Sequence, residues 1–112
     1  MSDCVFCKII NSQIPSKKVY EDENVFAFQD ISPQAKNHIL FVTKKHYPDV
    51  EAINQTDELN NIFKAISIVA KQLGVDKTGY RVVTNKGADA GQTVFHVHFH
   101  MLSGQRLSDK MA

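Results

Sequence analysis

The sequence predicts an α+β domain with a five-stranded, mainly antiparallel sheet, one short helix and one long helix. Five short segments rich in β-branched and aromatic residues are separated by turn residues, which is typical of strands. One longer segment has apolar residues at helical intervals. Four of the five strands are connected locally or through the long helix, so we expect most neighbouring strands to run in opposite directions.

The composition indicates one globular domain. We interpret the 112 residues as a single domain over residues 1–112 with a polar tail from about residue 103. The net charge of +1 gives no reason to expect nucleic-acid binding. No apolar run approaches the length of a membrane span, so no membrane partner is expected. The N-terminus lacks the basic and apolar regions of a signal peptide, and a cytoplasmic location is therefore expected.

The first half of the chain predicts a short helix followed by three strands. Residues 3–11 carry apolar residues at helical spacing, with Asp3 or Ser2 as the N-cap, and Pro15 prevents the helix from continuing. The turn at residues 22–24 predicts a hairpin between the first two strands. The three predicted strands are Lys18–Glu21, Val25–Gln29 and His38–Thr43.

The second half predicts the long helix, a fourth strand and a loop of small residues. Apolar residues recur from about Thr56 to Leu73 and predict a helix of about 18 residues that Gly74 ends. Residues 79–85 are predicted to form the fourth strand. The loop at residues 86–93 contains two glycines and two alanines, so its backbone N–H groups can approach an anion.

The last strand is predicted at residues 94–101, where three of the five histidines occupy alternate positions. Successive side chains of a strand alternate between faces, so His96, His98 and His100 are expected on one face, roughly 6.6 Å apart. The opposite face is apolar and is expected to be buried. Its members are Phe95, Val97, Phe99 and Met101.

Two chemistries fit three aligned imidazoles. A His-x-His pair on a strand is a common way to present ligands to zinc. Alternatively, a neutral imidazole attacks phosphorus and forms a covalent intermediate, which is feasible near pH 7 because its ordinary pKa is about 6.5. The small-residue loop favours the second chemistry, since Asn85 and Thr93 at its ends can donate hydrogen bonds to a phosphate.

The segment from Phe95 to Leu102 resembles the signature of the histidine triad superfamily, in which three histidines alternate with apolar residues. Further segments resemble its histidine-triad nucleotide-binding branch in order and spacing, so the likeness covers nearly the whole chain and implies a single histidine-triad domain. These segments are 3–10, 14–15, 20–22, 28–35, 44–46, 79–81 and 90–93. The chain departs from the branch at Lys36-Asn37 and at Ser103, and both departures bear on substrate fit.

The resemblance implies a role for each candidate site residue. His98 would attack the α-phosphorus of a nucleotide, while His100 and His38 would contact the phosphate or position the nucleophile. Asp30 would accept hydrogen bonds from the ribose. The residues implied to hold the phosphate are Asn85, Gly91 and Thr93, and those implied to line a purine pocket are Phe6, Ile9, Phe28 and Ile31. Without the resemblance, the four apolar residues indicate core and Asp30 indicates a turn.

The spacing of Cys4 and Cys7 alone leaves zinc ligation, thiol redox chemistry and chance open. The resemblance adds a ligand set, because some members of the superfamily bind zinc through such a pair and two histidines. The equivalent histidines here are His46 and His96. A closed site with two cysteines and two histidines would make the zinc structural. No organic cofactor is expected.

The function that the resemblance implies is hydrolysis of phosphorus–nitrogen or phosphorus–oxygen bonds in nucleoside phosphoramidates and phosphates. The enzyme would release a purine nucleoside monophosphate from an amine or similar leaving group. One alternative is a dinucleoside polyphosphate hydrolase, and another is a nucleotide-binding adaptor with weak catalysis. A redox protein built on the two cysteines is a more distant alternative. Similar proteins pair about a two-fold axis through the strand equivalent to Tyr80–Thr84 and the main helix, so a homodimer is expected.

Overall fold

The computed structural model describes residues 3–110, which form a five-stranded sheet in the order β1-β2-β3-β5-β4. All four strand pairs are antiparallel, so the predicted α+β class is confirmed. The elements in chain order are α1 Val5–Ile10, β1 Lys18–Glu21, β2 Val25–Gln29, β3 Asn37–Thr43, α2 Glu58–Leu73, α3 Val75–Thr78, β4 Tyr80–Val83 and β5 His98–Ser103. Short 3₁₀ turns occupy Val50–Ile53 and Ala88–Ala90.

One face of the sheet packs on α2 and forms the main core. Side chains alternate along each strand, and the inner positions meet the apolar stripe of the helix. The buried residues that form this core include Val25, Ala27, Ile39, Phe41, Phe99 and Met101 of the sheet and Ile62, Ile66 and Val69 of α2. Fully burying one such side chain stabilises the fold by about 1.5–3 kcal/mol, so this layer anchors the sheet.

The opposite face of the sheet carries a smaller apolar cluster and three of the histidines, which are His38 of β3 and His98 and His100 of β5. Its buried apolar members are Phe6 of α1, Phe26 and Phe28 of β2, and Leu40 and Val42 of β3. Val42 lies opposite His98, and Leu40 lies opposite His100. Directly opposed residues of an antiparallel pair share a face, so both imidazoles lie on the α1 side. The core and the candidate site are therefore on different faces of one sheet.

The helix ends follow local capping chemistry. The long helix α2 has 16 residues and begins at Glu58, two residues after the predicted start at Thr56. The hydroxyl of Thr56 accepts the N–H of Glu58 and donates to the carbonyl of Ile53, so Thr56 lies before the helix. Gly74 ends α2 at φ 75°, a conformation that favours glycine. Within residues 3–110, no helix combines the length and apolar character needed to cross a bilayer.

Several predicted boundaries are wrong. Helix α1 is shorter than residues 3–11, and its N-cap is Cys4 instead of Asp3, because the Cys4 sulfur accepts the N–H of Cys7. Ser2 lies outside the described residues. The fourth strand covers only residues 80–83, and α3 was not predicted. Ser103 belongs to β5 and is buried, so the polar tail begins one residue later.

The histidine strand differs most from its prediction. It begins at His98, so the three triad histidines do not share one strand as predicted. The β3–β5 ladder ends at the pair between Val42 and His98. Before it, the N–H of Val97 bonds to the carbonyl of Tyr47 instead of to a strand. Phe95, predicted to be buried, is 58% exposed because it lies in this irregular segment.

Candidate active site and metal centre

His98 begins β5, and the backbone fixes which of its nitrogens carries the proton. Its Nδ1 lies 2.8 Å from the carbonyl oxygen of His96. A carbonyl only accepts hydrogen bonds, so Nδ1 carries the proton and donates, and Nε2 keeps its lone pair. Burial lowers the pKa of His98, which keeps the ring neutral at pH 7. This tautomer is the one required of an imidazole nucleophile.

His38 and His100 form a hydrogen-bonded pair near His98. The backbone N–H of Gln34 donates to Nδ1 of His38 at 3.0 Å, so neutral His38 carries its proton on Nε2. That Nε2 lies 2.9 Å from Nδ1 of His100. Nδ1 of His100 therefore accepts, and its own proton lies on Nε2. Burial, followed by the neighbouring His98 and His38, lowers the pKa of His100 to about 4. His100 thus presents a neutral N–H donor.

Asp30 completes this group at the end of β2. Its Oδ2 lies 3.5 Å from Nε2 of His38, and its Oδ1 accepts the backbone N–H of Ser32 at 2.7 Å. The carboxylate raises the pKa of His38, but the larger effect of burial leaves that pKa below its ordinary value. Asp30 therefore forms a turn, as the sequence alone indicates, and also contacts the pair of His38 and His100.

Phe6 places an aromatic ring directly against the imidazole of His98. The two ring centroids are 5.0 Å apart and the planes are nearly perpendicular. The same ring meets Phe28 at 5.6 Å, and Ile9 packs on this cluster from α1. Ile31, in contrast, is 97% exposed and lines a separate cavity of about 540 Å³ together with Asp30. The predicted purine-pocket residues are thus divided between a buried cluster and an exposed rim.

The small-residue loop is held by Gln92, a residue whose role the sequence did not predict. The side chain of Gln92 accepts the N–H of Gly87 and donates to the carbonyls of Pro48 and Val94. Gln92 is 6% exposed, which places its polar group inside the fold. A glutamine between Gly91 and Thr93 was part of the family resemblance, but only the structure shows that its amide closes the loop.

The predicted phosphate-binding residues do not all face one cavity. Asn85 donates to the carbonyl of Ala90 at 2.9 Å and lines a cavity with His38 and His100. Gly91 ends the 3₁₀ turn at φ 78°. Thr93 is exposed and lines a different cavity, which also contains Cys4 and His46.

The four predicted metal ligands come together from three parts of the chain. Cys4, Cys7, His46 and His96 offer ligand atoms that all lie within 4.8 Å of one another. Nδ1 of His96 lies 3.3 Å from the Cys4 sulfur and 3.6 Å from the Cys7 sulfur. The Cys7 sulfur lies 3.4 Å from Nδ1 of His46. In a tetrahedral zinc site with bonds of about 2.0–2.3 Å, ligand atoms lie roughly 3.3–3.8 Å apart. The four residues therefore fit such an ion.

The backbone also prepares His96 for a metal. Its Nε2 lies 2.7 Å from the carbonyl of Thr43, so Nε2 donates and Nδ1 faces the two sulfurs as an acceptor. Burial lowers the pKa of His96 to about 4. Burial and the neighbouring Cys4 raise the pKa of the Cys7 thiol to about 11 when no ion is bound. Metal binding would therefore displace protons from the thiols.

His96 connects the two sites. Its imidazole belongs to the cysteine–histidine cluster, while its carbonyl oxygen accepts the proton-bearing nitrogen of His98. Whatever fixes the backbone at His96 therefore also fixes the orientation of His98.

The chain belongs to the histidine triad (HIT) family, because the family model of the HIT domain matches residues 11–107. An uncharacterised HIT-like protein of Methanocaldococcus jannaschii is 52% identical over 102 residues, which are 88% of this chain and 77% of that protein. A solved HIT family hydrolase of Clostridium thermocellum is 46% identical with a TM-score of 0.94, covering 100% of this chain and 99% of that one. A solved histidine triad nucleotide-binding protein of Candida albicans is 33% identical with a TM-score of 0.83, covering 98% and 87%.

Proposed function

We propose that the protein is a nucleotide hydrolase that releases a purine nucleoside monophosphate from an amine or similar leaving group. The observation that supports this most is the fixed tautomer of His98, whose Nε2 keeps its lone pair and whose ring centroid lies 5.2 Å from that of His100. The names of two similar proteins, one a hydrolase and one nucleotide-binding, agree with this class of reaction.

The proposed reaction has two displacements at phosphorus. Nε2 of His98 attacks the α-phosphorus, the phosphorus–nitrogen bond breaks, and its electron pair leaves with the amine nitrogen. That nitrogen takes the proton from Nε2 of His100. Water then attacks the phosphorus and breaks its bond to His98, and a proton from this water returns to His100. The net reaction consumes one water and releases the amine and the nucleoside monophosphate.

Substrate binding is assigned to the residues around this pair. Asp30 accepts hydrogen bonds from the ribose, and the purine contacts apolar side chains of the α1 side and the exposed Ile31. The apolar contacts proposed are Phe6, Ile9, Phe28 and Ile31, and the phosphate contacts are Asn85, Gly91 and Thr93. The proximity of Asp30 to His38 supports the ribose assignment, since a sugar bound there would lie next to the reacting phosphate.

A structural zinc ion bound by Cys4, Cys7, His46 and His96 is part of the proposal. When bound, it would cross-link the start of α1 to the segment before β5, and it would take no part in bond breaking. A cytoplasmic location is part of the same proposal, because the ligating thiols have to stay reduced.

We also propose a homodimer formed through β4. This strand is at one end of the sheet order and pairs only with β5 among the described strands. A second copy could add its own β4 across a two-fold axis and so pair the backbone groups of this edge.

The function is tested by intact-mass analysis after brief mixing with adenosine phosphoramidate. We expect an acid-labile nucleotidyl adduct that is absent from the His98→Ala protein. Bound nucleotide without adduct or turnover would support the adaptor alternative and contradict the proposal. Faster turnover of diadenosine polyphosphates than of adenosine phosphoramidate would instead indicate the dinucleoside polyphosphate hydrolase.

A further inference from the structure

A cavity of about 310 Å³ lies beside the catalytic histidine pair, on the β4 side of the sheet. His38 and His100 form one wall, and the segment after β5 forms another through Leu107, Ser108 and Lys110. The cavity is therefore continuous with the place where the reacting phosphate would lie.

The charge of this cavity is positive. Of the described residues that line it, Arg81 and Lys110 are cationic and none carries a carboxylate. Arg81 lies opposite Leu102 in the β4–β5 pair, and Val83 lies opposite His100. Residues two apart in a strand share a face, so Arg81 shares the face of His100. Two cationic side chains therefore line the same cavity as His38 and His100.

The guanidinium of Arg81 is held in place by the segment after β5. It donates to the carbonyl of Ser108 at 2.7 Å, which uses one of its five N–H donors. Gln105 of the same segment accepts the N–H of Lys36 at 2.7 Å, so the segment is fixed at two points. A positioned guanidinium presents a planar fork that suits a carboxylate.

The order of the strands separates this cavity from the proposed nucleoside site. Phe28 and Asp30 belong to β2 and its end, whereas Arg81 belongs to β4, and the histidines of β3 and β5 lie between them. With the nucleoside on the β2 side of the phosphate, the β4 side is left for the group that departs.

We propose that this cavity binds the leaving group, and that the preferred leaving group is an amine bearing a carboxylate, which Arg81 and Lys110 hold. This assignment rests on the hydrolase function proposed above and adds its specificity. Binding the carboxylate beside His100 also brings the departing nitrogen to the proton that it must receive.

The test compares three adenosine phosphoramidates whose amines are glycine, glycinamide and ethylenediamine. We expect kcat/KM for the glycine compound to exceed that of the neutral glycinamide compound by roughly tenfold, because hydrogen bonds to a charged group are the stronger ones. The cationic compound should be the poorest substrate. Equal values for the three, or a preference for the cationic amine, would overturn the assignment.

Substitutions in the cavity test which residues cause the preference for the glycine compound. Arg81→Gln and Lys110→Gln should each lower the ratio of kcat/KM between the glycine and glycinamide compounds. Arg106→Gln is the matched control, because Arg106 is the only other arginine, is exposed and does not line this cavity; it borders a neighbouring cavity that Arg81 lines as well. A ratio that falls equally in the control would contradict the assignment. If Arg81→Gln fails to fold, Lys110→Gln and the wild-type ratio still decide.

Unsubstituted adenosine phosphoramidate distinguishes loss of the leaving-group preference from loss of the hydrolase activity. If unsubstituted adenosine phosphoramidate gives neither adduct nor turnover, the hydrolase proposal fails. If it is hydrolysed through the adduct while the glycine compound has no advantage, only the leaving-group site fails.

Discussion

Three imidazoles that are alike in the sequence do not all carry their proton on the same nitrogen in the structure. His98 carries its proton on Nδ1, whereas His96 carries its proton on Nε2. His100 also carries its proton on Nε2, because its Nδ1 accepts a hydrogen bond from His38. The alternating pattern predicted that the histidines act together but not how they differ. The difference depends on the carbonyls of His96 and Thr43, and only the tertiary structure shows which carbonyl faces which ring.

Alanine substitutions should separate the three histidines. His98→Ala should remove the adduct and lower turnover by a factor of roughly 10³ or more, while nucleotide binding is largely kept, because the pocket does not need the attacking nitrogen. His100→Ala should slow the reaction but still allow some adduct. His96→Ala should lower stability and metal content and affect the rate only indirectly. An inactive but stable His96→Ala with an active His98→Ala would show that the wrong imidazole is assigned.

The pH dependence should reflect burial of the same rings. Burial lowers the pKa of His98 and takes that of His100 to about 4, so both stay neutral when the pH falls through the ordinary value of about 6.5. We expect kcat/KM to fall on the acid side with a midpoint below the ordinary pKa of about 6.5. A profile of kcat/KM with a midpoint at or above 6.5 would contradict this. Metal content measured at each pH excludes loss of the ion as the cause.

At the scale of elements, β1 and β2 have the bounds that the sequence predicted. The histidine strand begins at residue 98, four residues after its predicted start at residue 94. Alternation of polar and apolar residues is the same in a paired strand and in an unpaired extended segment. Pairing needs a neighbour, and β3 ends at Thr43. The residues before His98 are instead held by Tyr47 and by the side chain of Gln92. No local pattern shows where a ladder stops.

The proposed metal site would join three parts of the chain, namely the start of α1, the segment of His46 and the segment of His96, and it gives a prediction about stability. Protein purified without added zinc should contain about one equivalent, and Cys4→Ser should lose it and unfold at a lower temperature, because binding energy of the ion is also folding energy. Ser108→Ala is a suitable control, since Ser108 lies outside the cluster. Metal analysis and thermal unfolding measure both effects. A wild-type protein without metal and with the stability of Cys4→Ser would contradict the prediction.

At the scale of the whole molecule, the larger apolar core and the candidate functional residues lie on opposite faces of the sheet. The α2 face holds the larger apolar core, and the α1 face holds the histidines and the cysteine cluster. The sequence predicted the class of fold and the number of strands. It could not predict that β5 inserts between β3 and β4, because strand order depends on contacts far apart in the chain. That insertion is what brings His38 of β3 within hydrogen-bond distance of His100.

The edge strand β4 gives the last prediction, which concerns assembly. Light scattering at low micromolar concentration should give twice the 12.6 kDa of one chain, because an exposed edge offers unpaired backbone groups to a second copy. Hydrogen exchange identifies the interface: the outward amides of Tyr80–Val83 should be protected, whereas those of Lys18–Glu21, at the opposite edge, should exchange freely. Protection at β1 with rapid exchange at β4 would place the interface at the wrong edge, and a monomer at this concentration would exclude the dimer.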